Sequence, residues 1–325
     1  MIVIDGNDGT GKSTLVKALD ALGLLVKDRG LPTKASDDGV PPRETWPKGE
    51  RYLILDVPVE VSRQRLAAAG KDLTERYHTV EDLTFYRERY LGVAKGFGVE
   101  AIDSSGPIEQ TVAWALKQLG LSGPMRVGVP KGRLLPAVSE VLKRAGVDFA
   151  ALAPRQLAIT VGGIRYYLLK PRSIPQLVAL GFLDAGFCGR DLVLESGYDE
   201  RLEVFHDLGI QKVQLCVGAA SADIVNRPPD RPVAIATEFP HLASRWAFGK
   251  NLSHIILSSW GSTEAWVPDL ADVIVDVVET GETMKANGLV LLETLLESTT
   301  VLIQRTNGIL EHTKIGQAIR GGGAA

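Results

Sequence analysis

The sequence has little cysteine and no strong charge of either sign. Cys188 and Cys216 are the only cysteines among 325 residues, and both lie in apolar runs without the spacing of metal ligands. This argues against a disulfide framework or a zinc site and predicts two core residues in a reducing compartment. The formal net charge of −3 creates no general field for nucleic acid. We therefore expect no nucleic-acid partner, only small ligands held by locally placed Lys, Arg and backbone N–H groups.

Long apolar runs are also missing. None reaches membrane-spanning length, and the opening residues MIVIDGND lack the basic and apolar regions of a signal peptide. We expect a cytoplasmic protein with no membrane partner. The composition, with 45% hydrophobic and 23% charged residues, is typical of a globular α/β protein. A chain of this length predicts two hydrophobic cores rather than one.

The first 119 residues alternate between apolar strands and helices with apolar spacing. Such alternation implies a parallel sheet covered by helices. Within this region, the segment 30–49 carries four prolines, which predicts an irregular loop. The pattern predicts strands at 1–5, 24–28, 51–57 and 99–103, and helices at 12–22, 59–69, 79–95 and 108–119.

The segment GLSGP at 120–124 predicts a domain boundary, which divides the chain into domains 1–121 and 122–325. The second domain is again α/β, with a predicted hairpin over 157–169 that turns at Gly162 and Gly163. The pattern also predicts strands at 125–129, 233–237, 255–259 and 273–277, and a helix at 134–145.

A glycine-rich motif of the form GxxxxGK[ST] lies between the first predicted strand and helix, the context that a phosphate-binding loop requires. In such a loop, glycines turn consecutive N–H groups toward phosphate oxygens, Lys12 reaches the terminal phosphates and Ser13 ligates Mg²⁺. The alternative is a glycine-rich turn without a ligand, which this context disfavours. The predicted ATP-binding residues are Gly6, Asp8, Gly9, Gly11, Lys12, Ser13 and Thr14.

The segments IDGNDGTGKST, LILDVPVEVSRQRL and ERYHTVEDLTFYRERY make residues 1–119 resemble thymidylate kinase and related deoxynucleotide kinases. The resemblance implies a P-loop nucleotide kinase domain. Asp28 would lie near the metal and the acceptor, and Arg29 would contact phosphate. A basic lid would draw on Arg63, Arg65, Lys71 and Arg76, although these cations could equally form a solvated helix face. The chain lacks the region that these kinases carry between the loop helix and the Asp-Arg strand, so the acceptor stays open.

A second phosphate motif follows the strand predicted at 273–277. Acidic residues end the strand, and Thr280, Gly281 and Thr283 open a predicted helix, so hydroxyls and N–H groups converge where a phosphate would bind. A simple helix-capping turn is the alternative on local grounds.

The wider sequence resembles the catalytic core of ATP phosphoribosyltransferase from Met125 to about Thr306. The resemblance rests on MRVGVPKGRLL, DAGFCGRDLVLE, IATEFPHLASRW, LADVIVDVVETGETMKANGL and TVLIQR. It implies two α/β lobes like those of periplasmic binding proteins, with the site in the cleft between them. It also implies ATP and phosphoribosyl diphosphate as substrates, Mg²⁺ as the metal, and the first reaction of histidine biosynthesis.

The resemblance also assigns roles within that cleft. Thr280, Gly281 and Thr283 would hold the 5-phosphate, while Asp276 and Glu279 would contact the ribose as the catalytic acids. Phosphates would meet Lys131, Gly132 and Arg133, and the rest of the site would include Arg155, Lys170, Asp184 and Asp191.

Three positions depart from the family pattern. Lys170 and Gln214 stand where the family has arginines, and Ser173 stands where it has an acid. These changes remove bidentate contacts to phosphate, so the resemblance implies the reaction class and leaves the identity of the nucleotide substrate open.

About twenty residues follow the resemblance, too few for the feedback domain of the family's long form. The short form implies a separate regulatory subunit that resembles histidyl-tRNA synthetase, and we expect a homo-oligomer. The leading hypothesis is a bifunctional transferase. The alternative is a cleft-type nucleotide or phosphoribosyl-diphosphate sensor with an N-terminal ATP-gated assembly module.

Overall fold

The computed structural model describes residues 1–28, 44, 47–148, 155–226 and 230–321. The chain forms two compact units. The first comprises residues 1–126, 159–166 and 308–325, and the second comprises residues 127–158 and 167–307. Within the described ranges, no helix combines the length and the apolarity needed to cross a membrane.

The first unit contains a four-stranded sheet in the order β2-β1-β3-β4, and every neighbouring pair of strands is parallel. This agrees with the parallel sheet predicted from the alternating sequence. The strands are β1 (Ile2–Gly6), β2 (Val26–Asp28), β3 (Arg51–Asp56) and β4 (Ile102–Asp103), and the helices are α1 (Lys12–Ala21), α2 (Val59–Ala68), α3 (Val80–Phe97) and α4 (Ile108–Gln118).

Apolar side chains on strand β1 and on helix α1 pack together in the core of this unit. All five residues of β1 are buried, which is typical of a central parallel strand covered on both faces. Leu15 and Leu19 lie one turn apart on α1 and are fully buried in the same core as Ile2 and Ile4. Because the strands are parallel, their carboxyl ends share one edge of the sheet, where the loop after Gly6 begins.

The carboxy-terminal segment 308–321 belongs to the first unit. Ile309 is part of its main hydrophobic core, and the Leu25 N–H donates to the His312 carbonyl at 2.7 Å. Leu24 and Thr313 form an antiparallel bridge. Burial lowers the pKa of His312 to about 4, so this imidazole is neutral at physiological pH. The first compact unit is thus discontinuous in sequence, and the boundary predicted between 121 and 122 does not anticipate this.

The remaining strands form two sheets, and of their residues only 126, 159–161 and 164–166 are counted in the first unit. A six-stranded sheet has the order β6-β7-β5-β8-β15-β9, and a five-stranded sheet has the order β12-β11-β13-β10-β14. The chain passes from the first to the second after β9 and returns after β14, so two crossings join two α/β lobes. The strands are β5 (Arg126–Pro130), β6 (Ala158–Val161), β7 (Ile164–Leu169), β8 (Ala185–Gly189), β9 (Leu202–Asp207), β10 (Val213–Ala219), β11 (Val233–Thr237), β12 (His254–Ser258), β13 (Val273–Val278), β14 (Val290–Ser298) and β15 (Thr300–Arg305).

Helices accompany both lobes. The helices after β5 and β11 each have a buried apolar face: Val138 and Leu142 in the first, Trp246 and Ala247 in the second. The remaining helices in chain order are α5 (Leu135–Arg144), α6 (Ile174–Ala179), α7 (Arg190–Glu195), α8 (Pro240–Gly249), α9 (Glu282–Ala286) and α10 (Lys314–Gly321), the last of which lies in the first unit.

The predicted hairpin is present. β6 and β7 are neighbours joined by Gly162 and Gly163, which have φ values of 56° and 77°. A side chain at Gly163 would also approach the carbonyl oxygen of Ala21 to 2.2 Å. Glycine is therefore required at this turn both for its backbone conformation and for the close approach.

Candidate functional sites

The glycine-rich loop between β1 and α1 adopts a conformation that only glycine supports. Gly9 and Gly11 have φ values of 79° and 91°. A Cβ atom at Gly6 would lie 2.5 Å from the Leu55 carbonyl oxygen, and one at Gly9 would lie 2.7 Å from that of Ser62. Thr14 lies in the first turn of α1, which starts directly after the loop. The motif glycines thus hold the loop close against neighbouring backbone.

Lys12 lies inside this loop with only 6% of its surface exposed. Its ammonium group donates to the carbonyl oxygens of Gly6 at 2.9 Å and Asn7 at 2.8 Å, and lies 3.5 Å from the Asp8 carboxylate. The loop therefore surrounds a buried cation. An anion that entered the loop would meet this charge together with the N–H groups at the start of α1.

Ser13 and Asp28 meet beside the loop. The Ser13 hydroxyl donates to Asp28 Oδ2 at 2.8 Å, and Asp28 Oδ1 is buried without a hydrogen-bond partner among the described residues. Hydroxyl and carboxylate oxygens are the ligands that Mg²⁺ prefers, so this pair fits that ion. The predicted partner of Asp28, Arg29, lies outside the described residues.

Of the proposed lid cations, Arg65 lies on the loop. Its guanidinium donates to the carbonyl oxygens of Ser104 at 2.8 Å and Gly9 at 3.4 Å. Arg65 also lines a cavity of 230 Å³ together with Thr10, Gly11, Thr14, Ser104, Gly106, Ile108 and Thr111.

The other lid candidates are placed differently. The Nε of Arg63 is buried without a hydrogen-bond partner among the described residues. The guanidinium of Arg76 lies 5.1 Å from the centre of the Tyr77 ring, and Lys71 is exposed.

The second unit contains a cavity of 600 Å³ where its two lobes meet. Five of the predicted site residues line it, and they come from the segments that follow β5, β7 and β8 and from β13 itself. The cavity also includes Ser298, Thr299 and Thr300, where β14 of one lobe passes into β15 of the other. The predicted residues that line it are Lys131, Arg133, Lys170, Asp191 and Asp276.

Asp276 is an acid of this cavity whose pKa is raised above its ordinary value. Burial raises the pKa of its carboxyl group, and the nearby Glu264 and Glu238 carboxylates raise it further. The N–H of Val277 donates to Asp276 Oδ1 at 2.7 Å and opposes that shift. A cation at this point would offset the mutual repulsion of the carboxylates, and a ribose hydroxyl would stabilise the ionised Asp276 by donating a hydrogen bond.

The loop that follows β13 lies next to this cavity. Glu279 forms an ion pair with Arg133 and lines an adjacent cavity of 630 Å³ with Lys212 and Gln214. Gly281 caps α9 with a φ of 77°, and the Thr280 hydroxyl accepts from the Glu282 N–H at 3.5 Å. Thr280 and Thr283 are exposed. Neither threonine lines either cavity, so their contact with phosphate stays a prediction.

The other residues predicted for this site lie in buried positions or in turns. Asp191 is buried, and its Oδ1 accepts from the Ser298 hydroxyl at 2.5 Å. Asp184 is buried before β8. Gly132 begins a 3₁₀ turn with a φ of 74°, and Arg155 is exposed with a φ of 69°. The structure does not place Gly132, Arg155 or Asp184 in the lining of the 600 Å³ cavity.

A family model for ATP phosphoribosyltransferase (HisG) matches residues 170–321. An ATP phosphoribosyltransferase of Sorangium cellulosum is 36% identical over 188 residues, which cover 56% of this chain and 86% of that protein. This chain belongs to the ATP phosphoribosyltransferase family. The protein of that name from Thermus thermophilus is 34% identical over 184 residues, covering 55% of this chain and 85% of the relative.

A solved structure supports the same fold. The ATP phosphoribosyl transferase (HisG:HisZ) complex from Thermotoga maritima contains a chain with 26% sequence identity and a TM-score of 0.52. The match covers 61% of this chain and 99% of that chain. The family match also continues to residue 321, which corrects the expectation that the resemblance ends near residue 306. Residues 1–169 lie outside the family match.

The sequence reasoning missed several residues that line the 600 Å³ cavity. Arg172, Glu238 and Trp260 all line it, and the indole of Trp260 is 79% exposed. Arg172 lies in the turn that contains the departures Lys170 and Ser173, so its charge beside that turn was an available signal. Glu238 and Trp260 follow β11 and β12, where the sequence pattern predicted strands but no ligands.

Proposed function

We propose that this chain transfers the phosphoribosyl group of phosphoribosyl diphosphate to the adenine ring of ATP, the first step of histidine biosynthesis. The observation that carries the proposal is the 600 Å³ cavity, where Lys131, Arg133 and Lys170 lie opposite the acid Asp276. Cations beside carboxylates suit a sugar diphosphate, because the phosphates and the ribose hydroxyls need opposite partners. Family membership supports the same reaction.

In this reaction a ring nitrogen of adenine forms a bond to the anomeric carbon of the sugar, and the bond from that carbon to diphosphate breaks. Lys131, Arg133 and Lys170 neutralise the departing diphosphate, and Asp276 orients the ribose. The nucleophile is weak, so orientation of both substrates and stabilisation of developing charge supply the rate. The protein needs no covalent intermediate.

Mg²⁺ fits the acidic side of this cavity. The partly buried Asp276 has a raised pKa beside Glu238 and Glu264, so a cation there would stabilise the ionised carboxylate. Bound with the diphosphate, Mg²⁺ would supply charge neutralisation to the leaving group.

Replacing Thr280 and Thr283 together with valine is expected to weaken binding of phosphoribosyl diphosphate. Each hydroxyl that donates to a charged phosphate contributes about 1.5–3 kcal/mol, so the dissociation constant should rise by at least about tenfold. Isothermal titration calorimetry on the full chain measures this change.

The matched control for that pair is Thr306→Val, because Thr306 is also exposed and lies outside both cavities. It should bind like wild type. An unchanged affinity in the folded double variant would place the sugar phosphate elsewhere in the cleft.

We infer a second activity for residues 1–121: phosphoryl transfer from magnesium-ATP to a nucleotide-like acceptor. The buried Lys12, the Ser13–Asp28 pair and the cavity beside Arg65 support this proposal. They would hold the terminal phosphates, the metal and the base in that order along the loop. The kinase-like segments of the sequence support the same reaction class.

We also propose that the chain forms a homo-oligomer and associates with a separate regulatory subunit that resembles histidyl-tRNA synthetase. The proposal is supported by the related chain from Thermotoga maritima, whose solved structure is a HisG:HisZ complex. Light scattering of the purified chain, alone and mixed with such a subunit, measures both assemblies.

A further inference from the structure

Arg172 occupies the 3₁₀ turn Pro171–Ser173 that leads from β7 into α6, at the wall of the 600 Å³ cavity. Its Nη2 donates to Glu238 Oε2 at 3.3 Å. Its guanidinium carbon lies 5.2 Å from the centre of the Phe239 ring. The side chain is therefore held by a carboxylate and by an aromatic face, and a third of it remains exposed to solvent.

This ion pair connects the two lobes across the cavity. Arg172 follows β7 of the six-stranded sheet, and Glu238 follows β11 of the five-stranded sheet. Arg133 and Glu279 repeat the arrangement, since they follow β5 and β13. Each arginine thus meets a carboxylate from the opposite lobe.

The Arg172–Glu238 pair lies at the wall of the cavity, and this position favours a role in ligand binding over a role in holding the two lobes together. Both members of the Arg172–Glu238 pair are about one-third exposed, and ion pairs of that exposure are weak because water screens them. The cavity also gathers Lys131, Arg133 and Lys170 beside Arg172. Two of these four cations, Arg133 and Arg172, are paired with partly or largely exposed carboxylates, and an anion in the cavity would be attracted by all four positive charges.

We propose that Arg172 binds the diphosphate group of the substrate, and that diphosphate displaces Glu238 from it. The proposal rests on the phosphoribosyltransferase function above, which supplies the diphosphate. Among the described residues, Glu238 is the single hydrogen-bond partner of Arg172. A guanidinium carries five N–H donors in a planar fork, so most of them are available to phosphate oxygens.

Arg172 adds something that its neighbour Lys170 cannot provide. A lysine ammonium attracts phosphate as a point charge, whereas a guanidinium can contact two oxygens at once. Lys170 thus contributes attraction, and Arg172 contributes the orientation of the leaving group.

The test measures binding of inorganic diphosphate to the full chain by calorimetry, with EDTA present so that no metal contributes. Arg172→Gln is expected to raise the dissociation constant by about tenfold or more, and Arg172→Lys by less, since it keeps the charge. The matched control is Arg144→Gln, which removes an exposed arginine paired with Glu140 on α5, outside the cavity lining. It should bind like wild type.

A double-variant cycle tests the exchange with Glu238. Glu238→Gln should tighten diphosphate binding by about threefold or more when Arg172 is present, because it removes the competing carboxylate. In the Arg172→Gln background, the same change should have less than about a twofold effect. Equal effects in both backgrounds would overturn the exchange.

Steady-state kinetics separate this inference from the function on which it rests. Arg172→Gln should raise KM for phosphoribosyl diphosphate by about tenfold and change KM for ATP by less than about threefold. The Arg172→Gln protein could instead melt like wild type and show unchanged diphosphate binding and unchanged KM. That result would mean that Arg172 only links the two lobes, and it would not contradict the proposed function. A wild-type protein that binds neither diphosphate nor phosphoribosyl diphosphate would overturn both.

Discussion

Lys12→Ala is expected to abolish ATP binding at the glycine-rich loop and, with it, phosphoryl transfer by the first unit. The substitution removes the one buried cation that the loop carbonyls surround, and the donors that remain in the loop are mainly backbone N–H groups. Calorimetry on the full chain should show two ATP sites in wild type and one in the variant. ADP formation with nucleoside, nucleotide and sugar-phosphate acceptors should fall to background.

Two variants control this experiment. Lys17→Ala removes an exposed lysine from the same helix and should leave both readouts unchanged. Asp28→Asn keeps the loop intact but alters the carboxylate that accepts from Ser13, so it should retain ATP binding and lose transfer. If wild type binds ATP at the loop but phosphorylates none of the acceptors, and Asp28→Asn behaves identically, the kinase proposal is wrong.

Ending the chain at Asn307 is expected to unfold the first unit. The deletion removes Ile309, Leu310, Ile315 and Ile319, all of them at most 6% exposed. Burial of each such side chain contributes about 1.5–3 kcal/mol. Together they approach the total stability of a typical domain, about 5–15 kcal/mol. The backbone hydrogen bond between Leu25 and His312 is lost as well.

Differential scanning calorimetry with magnesium-ATP measures this loss. ATP should raise two transitions in the full chain, one for each proposed ATP site, and Lys12→Ala should abolish the shift of the first unit's transition. The chain ending at Asn307 should keep the other transition and lack that of the first unit. Ile309→Ala is the milder variant, and it should lower the same transition without removing it. If the shortened chain keeps both transitions, including the one whose ATP response depends on Lys12, the segment 308–321 is not needed for the first core.

The domain boundary shows where local sequence patterns stop being informative. The segment GLSGP predicts that fragments 1–121 and 123–325 each fold, and this stays a prediction. The contacts of residues 308–321 lead us to expect that fragment 1–121 needs this segment, for example as an added peptide. Pairing of Leu24 with Thr313 joins residues far apart in the chain, and no local periodicity encodes it.

Local sequence patterns correctly predicted the features that depend on only a few neighbouring residues. The strand predicted at 233–237 is β11, and Gly162 with Gly163 forms the predicted turn, because apolar β-branched runs and adjacent glycines act over a few residues. The motif glycines and Lys12 likewise form one loop. The start of the strand predicted at 99–103 was too early, since β4 contains only Ile102 and Asp103.

Residues that depend on tertiary packing were not predictable in the same way. Arg172 and Glu238 come together because the two lobes meet at the cavity, and the spacing of these residues in the sequence does not predict the pair. Asp191 was predicted from a site motif and lines the cavity, but its hydrogen bond to Ser298, at the crossing between β14 and β15, depends on tertiary packing.

The most direct test of the phosphoribosyltransferase function is mass spectrometry of the products after the full chain is incubated with ATP, phosphoribosyl diphosphate and Mg²⁺. We predict a product with the mass of ATP plus one phosphoribosyl group, together with one released diphosphate for each product formed. Lys12→Ala should form the same product, because the reaction belongs to the second unit. A folded wild-type chain that binds both substrates and forms neither product nor diphosphate, with or without a regulatory subunit, would contradict the assignment.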